Sequence, residues 1–292
     1  MLAGAQKSAS VGSYCLKTPM MRAKDMNTEQ AGLNHTKSKA IKLIIFDKDG
    51  VILDLAATWF PVVFAVAEYT ISIVPDHPTT AHHKQSVGLD DLLARIGVDA
   101  MGIIDHNGLF AAGTFTEICQ AWQEILPENM IDLLVDASYL AKVNELVLEL
   151  VRGRSVAKGD VKTPLTILSE AGYILALLTN DNAASAMQNL KDLEIDHLFA
   201  TIIGADSGFG GKQAPHGLLH ICDTHDIAPD QTIMVGDTIA DYGVAVNAQV
   251  KNFICVADNI SHRPDAAIDP GFVIPGLEAL PALVKNMSGL GR

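Results

Sequence analysis

Short apolar runs alternate with longer amphipathic stretches along this chain from Lys39 onward. Residues 41–46, Ile-Lys-Leu-Ile-Ile-Phe, are apolar and rich in β-branched side chains, which suits a strand buried on both faces. Runs of the same kind recur at residues 173–178, 201–203, 232–235 and 253–256. Helical patterns separate them: residues 163–171 precede the second run and 181–193 follow it, while 217–225 precede the fourth and 239–248 follow it. Strands alternating with helices of this length predict an α/β fold, a doubly wound parallel sheet with helices on both faces.

Residues 57–155 break that alternation. In 116–126 the apolar positions Ile118, Ala121, Trp122, Ile125 and Leu126 follow the spacing of one helix face. The helical pattern continues over 129–151, through Ile131, Leu134, Val135, Leu140, Val143, Val147 and Val151. The spacing predicts a helical insertion after the first strand, with residues 153–162 as the return hinge. The expected division is therefore a core of residues 39–56 and 156–292 and an inserted helical domain of residues 57–155. The most apolar stretch, 59–74, is interrupted by Glu68 and ended by Pro75, so it predicts a buried helix rather than a membrane span.

Charge narrows the partners. The formal net charge of −13 argues against a nucleic-acid-binding surface, which would carry a basic patch. Residues 1–42 run the other way, with seven Lys/Arg against two Asp/Glu, so the acidity lies in the rest of the chain. An acidic body needs a metal and a local cation if it is to receive a phosphate ester. Residues 1–38 are polar and aperiodic, and predict a disordered extension. They lack the apolar core of a secretory signal, and a mitochondrial presequence would need a clearer amphipathic face. Met20, Met21 and Met26 leave other start sites open. Cys15, Cys119, Cys222 and Cys255 show no ligand spacing and read as core side chains in a reducing, cytoplasmic setting. His77, His82 and His83 cluster around Pro75 and Pro78, which fits a solvated turn better than a metal site. A monomer or homodimer is expected.

In an open parallel sheet, ligands collect at the carboxyl ends of the strands. Asp47 and Asp49 follow the first strand, in Asp47-Lys48-Asp49-Gly50. Thr179 and Asn180 follow the second. Lys212 lies between the third and fourth, in Lys212-Gln213-Ala214-Pro215, and Gly236-Asp237-Thr238 follows the fourth, with Asp241 four residues after Asp237. Singly, each has a bland explanation as a helix cap, a turn or a solvated side chain. Together they form a set: carboxylates for a hard cation, a hydroxyl and an ammonium for phosphate oxygens, one carboxylate to attack and another to move a proton.

These segments resemble the four motifs of the haloacid dehalogenase-like hydrolase superfamily. Residues 44–51 are similar to its first motif, an apolar strand followed by Asp-x-Asp-Gly-(Thr/Val), and 176–180 to its second, a strand ending in Ser/Thr-Asn. Lys212-Gln213-Ala214-Pro215 is similar to the third, Lys-Pro-x-Pro, and 236–241 to the fourth, Gly-Asp-x-x-x-Asp. Order and spacing agree over residues 40 to 285.

The resemblance implies a Rossmann-like core with an inserted α-helical cap, as in the phosphoglycolate phosphatase and β-phosphoglucomutase branch. It also implies a Mg²⁺-dependent phosphatase of a small phosphorylated metabolite, phosphoglycolate-like or a sugar phosphate. Asp47 would form the aspartyl-phosphate, and Asp49 would protonate the leaving oxygen and then activate water. Thr179, Asn180 and Lys212 would hold the phosphoryl group. Asp47, the carbonyl of Asp49, and Asp237 would bind the metal, and Asp241 would orient Lys212 or complete the metal shell. Asp49 stands where P-type ATPases have threonine, although Lys48 is similar to a residue of their signature. A phosphomutase shares all these groups, and a silent binding protein of the same fold is the remaining alternative.

Departures from the pattern concern loops. Gln213 replaces a proline beside Lys212, and Gln249 stands where glycine commonly ends the fourth motif's helix, so another cap is expected there. Residues 108–114 fit either a specificity loop or a helix connection ending in the N-cap Thr114, and the connection is favoured. Lys84, Arg95 and His106 are further insertion residues that could meet an anion, though each reads as a surface residue.

Overall fold

The computed structural model describes residues 40–75, 87–99, 101–105, 108–212, 214–260 and 263–289. The expectations for residues 1–38, for His77, His82, His83, Lys84 and His106, and for Gln213 lie outside this range, as does Cys15.

Six strands, β1 (Leu43–Phe46), β2 (Ile174–Leu178), β3 (Phe199–Ile203), β4 (Thr232–Gly236), β5 (Asn252–Val256) and β6 (Val273–Ile274), form one parallel sheet. The order is β3-β2-β1-β4-β5-β6. The helices between β1 and β2 are α1 (Leu55–Ser72), α2 (Leu89–Arg95), α3 (Leu109–Ala112), α4 (Phe115–Gln123), α5 (Ala137–Val151) and α6 (Lys162–Glu170). Beyond β2 follow α7 (Ala183–Asp192), α8 (His216–Thr224), α9 (Ile239–Asn247) and α10 (Leu280–Gly289).

Strand alternation divides the sheet's side chains between two cores. Ile44 and Phe46 join Leu165 and Leu168 of α6, Leu190 of α7 and Val284 of α10. Leu43 and Ile45 join Leu218 and Ile221 of α8 and Val244 of α9 on the opposite face. Full burial of each such side chain stabilises the fold by about 1.5–3 kcal/mol. Burial on both faces explains why β1 reads as an unbroken apolar run. Strand order reverses beside β1, so a crevice opens at the carboxyl ends of β1 and β4.

The insertion has a core of its own. Val62, Val66, Leu92, Trp122, Tyr139 and Val143 belong to a third cluster that includes no sheet residue. Asp54 caps α1 by accepting from Ala57 N at 2.9 Å. The outgoing and returning chains pair: Asp54 N donates to Val156 O at 2.8 Å and Lys158 N to Ile52 O at 2.9 Å. Among the described residues, α1 is the one helix long and apolar enough to cross a membrane. In this fold its Val62, Val63, Val66 and Ala67 are buried in the insertion's cluster.

Four details differ from the sequence expectation. β3 begins two residues earlier, at Phe199. Residues 129–136 form turns, not the start of a helix: Asp132 accepts from Leu134 N, and Asp136 accepts from Tyr139 N, starting α5 at Ala137. The two-residue β6 carries too short an apolar signal to be read in advance. Finally, α9 uses no alternative cap. Gln249 itself takes the left-handed conformation at φ 60°, with Gln249 N donating to Val246 O and Val250 N to Ala245 O. These are the two hydrogen bonds of a Schellman ending, made without glycine.

Candidate active site

β1 delivers Asp47 into the crevice, where its N–H extends the ladder to Val235 O on β4 at 2.8 Å. The chain then turns, with Lys48 O accepting from Ile52 N and Leu53 N. Gly50 makes that turn at φ 78°. A Cβ at this position would also lie 2.0 Å from Asp237 Oδ2. The motif's glycine therefore lets the loops after β1 and β4 lie against each other.

Lys212 is buried and reaches two carboxylates. Its Nζ forms a close ion pair with Asp47 Oδ1 and donates to Asp241 Oδ1 at 2.8 Å. Asp241 is itself fixed, since its Oδ2 accepts from Thr238 Oγ1 at 2.7 Å, Thr238 N at 3.0 Å and Asp237 N at 3.2 Å. Thr238 and Asp241 thus form the capping box of α9 while Asp241 aims Lys212 at Asp47. Burial, reinforced by the Asp241 carboxylate, pushes Asp47 up to about 7 despite Lys212. Burial alone would depress Lys212, but Asp241 and Asp47 more than reverse that and keep it protonated.

Asp47, Asp237 and Asp241 each place a carboxylate oxygen within 4.8 Å of the others. Burial first, then repulsion from Asp47 and Asp241, raises Asp237 well above the usual carboxylate range. Its Oδ1 is buried with no hydrogen-bond partner. An orphaned oxygen among crowded carboxylates fits a hard cation, which takes oxygen ligands and relieves their repulsion. Asp241 already spends both oxygens on the chain, so Asp47 and Asp237 are the carboxylates with capacity left.

Thr179 follows β2, its N–H bonded to Ile203 O at 2.9 Å, and its hydroxyl accepts from Asp181 N at 3.1 Å. Asn180 borders the cavity and is tied to the chain by two hydrogen bonds. Its Oδ1 accepts from Lys212 N at 3.0 Å and its Nδ2 donates to Ala112 O at 2.8 Å. The carboxamide therefore ties the loop carrying Lys212 to α3 of the insertion.

Asp49 is held on both oxygens by residues that sequence reasoning did not place here. Trp59 Nε1 of α1 donates to Oδ1 at 2.6 Å, and Lys48 Nζ lies 3.2 Å from Oδ2. Lys48 is fully buried; it also donates to Asp181 Oδ2 at 2.7 Å and Asn189 Oδ1 at 2.9 Å, and sits over the Trp59 ring at 4.5 Å. Burial raises the Asp49 carboxyl, and Lys48 and Trp59 offset only part of that rise. Asp181, adjacent to the Thr-Asn pair, carried a positional signal; Trp59, inside an apolar helix pattern, carried none.

Asp47, Asp49, Thr179 and Lys212 all border one cavity of about 490 Å³ beneath the insertion. Within residues 108–114, where a helix connection is favoured, Leu109–Ala112 is itself the short helix α3. Thr114 accepts from Glu117 N as the expected N-cap of α4, and residues 110–114 line the cavity. Arg95 is outside the lining and pairs with Glu124. Cys119, Cys222 and Cys255 are free and buried, as expected of core side chains.

Comparison with known proteins agrees with this geometry. Residues 41–249 match the haloacid dehalogenase-like hydrolase family. A phosphoglycolate phosphatase of Vibrio cholerae is 29% identical over 238 residues, 80% of this chain and 93% of that protein. One from Vibrio vulnificus (strain CMCP6) is 28% identical over 240 residues, 82% and 94% respectively. The fold is shared with a predicted phosphoglycolate phosphatase of Haemophilus somnus 129pt, at TM-score 0.57 and 20% identity over 83% of this chain and 97% of that one. It is shared equally with a Thermotoga maritima protein assigned as a β-phosphoglucomutase, at TM-score 0.56 and 19% identity over 84% and 99%. The chain belongs to the haloacid dehalogenase-like hydrolase family and is a phosphatase resembling its phosphoglycolate phosphatase branch.

Proposed function

We propose that this phosphatase is Mg²⁺-dependent and hydrolyses a small phosphorylated metabolite through an aspartyl-phosphate on Asp47. The observation that carries the reading is the pairing of Asp47 with Lys212 beside the unpartnered Asp237 Oδ1. Asp47, Asp237 and the backbone carbonyl of Asp49 would hold Mg²⁺, which supplies positive charge between the Asp47 carboxylate and the anionic ester when bound.

The chain's own groups divide the remaining work. Thr179 and Lys212 hold the phosphoryl oxygens, and Lys212 stabilises charge as it spreads over them in the transition state. Asp47 attacks phosphorus, the phosphorus–oxygen bond to the leaving group breaks, and Asp49 gives that oxygen its proton. Asp49, now ionised, takes a proton from water as it attacks the aspartyl-phosphate, which releases phosphate and restores Asp47. The raised Asp49 carboxyl favours its starting role as acid. Asp241 acts through Lys212.

The insertion, residues 57–155, closes over the core as a cap. It excludes water at the first step and selects the leaving group. The test is hydrolysis of p-nitrophenyl phosphate by purified protein, with Mg²⁺ and with EDTA, for the natural sequence and Asp47→Asn. Hydrolysis that EDTA suppresses and the substitution abolishes is expected. Activity surviving either one contradicts the mechanism. A requirement for a bisphosphate activator would indicate a mutase instead.

A further inference from the structure

The cavity has two chemically distinct halves. The core supplies Asp47, Asp49, Thr179 and Lys212, the equipment for a phosphoryl group. The insertion supplies a wall of hydrocarbon that includes Val62, Val63 and Val66 on α1, Phe110 on α3, and Leu140 and Val147 on α5. Among the described residues, its polar side-chain lining is Thr114, Thr116 and Asn144. Thr114 is engaged with Glu117. The two tryptophans bordering the cavity do not add free donors: Trp59 Nε1 is spent on Asp49, and Trp122 Nε1 on Leu92 O at 2.8 Å.

Charge points the same way. Among the described residues, Lys212 is the only Lys, Arg or His bordering the cavity, and Asp47 and Asp241 already hold it. Asp181 and Asp206 border the same space. Among the described residues, a second anionic group on the substrate would find no cation of its own and would face Asp181 and Asp206, and an unpaired charge is poorly tolerated once buried. Sugar hydroxyls set against Val63, Val66, Leu140 and Val147 would lose water, with Thr116 and Asn144 as the described polar side chains on that wall not already engaged.

We propose that the leaving group is an uncharged, mainly apolar alcohol or phenol, so that the substrate is an aryl or branched-alkyl phosphate monoester rather than phosphoglycolate or a sugar phosphate. The proposal rests on the phosphatase reading of the same site. It departs from the substrate that the relatives' names carry, because the insertion's side of the cavity is mainly hydrocarbon whereas the motifs for the phosphoryl group lie in the core.

The test compares benzyl phosphate, phosphoglycolate and glucose 6-phosphate with Mg²⁺ present. Benzyl alcohol is an alkyl leaving group, so a preference for it reports recognition and not leaving-group acidity. Benzyl phosphate should have a kcat/KM at least about tenfold above either alternative, the scale of burying one or two apolar groups. Binding is measured separately on Asp49→Asn protein by quenching of tryptophan fluorescence, since both tryptophans border the cavity. The same order of affinities is expected there. Val147→Arg should narrow or reverse the preference toward phosphoglycolate, with its melting temperature checked alongside.

Phosphoglycolate or glucose 6-phosphate binding as well as benzyl phosphate would overturn the proposal and leave the phosphatase reading intact. Preferred binding of benzyl phosphate without hydrolysis of any ester would overturn the hydrolytic mechanism and uphold the apolar class. Failure of all three to bind would overturn the proposal.

Discussion

The indole N–H of Trp59 donates to Asp49 Oδ1 at 2.6 Å, joining the first helix of the insertion to the second carboxylate of the Asp-x-Asp motif. Asp49 sits on the loop after β1, and Trp59 packs against the insertion's cluster. The orientation of the proposed acid/base therefore depends on where the insertion lies.

Trp59→Phe keeps the ring and removes the donor. A hydrogen bond to a charged group contributes about 1.5–3 kcal/mol, so kcat should fall about tenfold or more. The Mg²⁺ dependence should stay unchanged, because Trp59 bonds to the side chain of Asp49 and not to its carbonyl. The bond favours the ionised carboxylate, so its loss should also raise the Asp49 pKa and move whichever limb of the pH–rate profile Asp49 controls to higher pH. Steady-state kinetics across pH check both; an unchanged kcat and profile would remove Trp59 from the positioning of Asp49.

Lys48 is buried between Asp49, Asp181 and Asn189. Lys48→Met leaves two carboxylates without their cation and should destabilise the fold by about 3–5 kcal/mol. Adding Asp181→Asn removes one of them and should recover part of the loss. Urea denaturation of the single and double variants reads the coupling, and strict additivity would show that the pair is not energetically linked.

The carboxylate cluster sets a pH dependence. In the metal-free protein Asp47 sits at about 7, above its ordinary 3.8. The folded state therefore binds more protons than the unfolded chain between those values, and its stability falls as pH rises through that window. Mg²⁺ binds the ionised carboxylates, so its stabilisation should be small near pH 5 and grow toward about pH 8. Thermal melts with Mg²⁺ or EDTA measure this, and in Asp47→Asn the EDTA curve should flatten over the same range. A Mg²⁺ effect independent of pH would contradict the cluster's role.

Gln249 occupies a left-handed position at φ 60° in the Schellman ending of α9. That conformation costs a non-glycine residue about 1–2 kcal/mol, while glycine loses about 0.5–1 kcal/mol through its freer unfolded chain. Gln249→Gly should thus stabilise the protein by about 0.5–1 kcal/mol without altering kcat. Chemical denaturation decides the sign.

The site residues visible in the sequence are those that local chemistry places at strand ends. Asp47, Thr179, Lys212 and Asp237 each follow an apolar run or lie in a short motif, and parallel pairing brings those ends together. Gly50 could be read as a turn, but its contact with Asp237 required the fold. The partners of Lys48 were hidden because Asp181 and Asn189 lie 133 and 141 positions away. Asn180 reads as a phosphate ligand, and only the position of α3 shows its carboxamide also engaged with Ala112 and Lys212. The start of α5 was misplaced because Asp132 and Asp136 redirect backbone donors that apolar spacing does not register.

The central claim, that Asp47 carries the phosphoryl group, is tested most directly by trapping it. Enzyme mixed with Mg²⁺ and a phosphate ester is quenched in acid during the first turnover, and its peptides are mapped by mass spectrometry. The account predicts a phosphoryl group on the peptide's Asp47, absent with EDTA and absent in Asp47→Asn. Product formed in that turnover with no phosphoryl group on Asp47 at any time would contradict it.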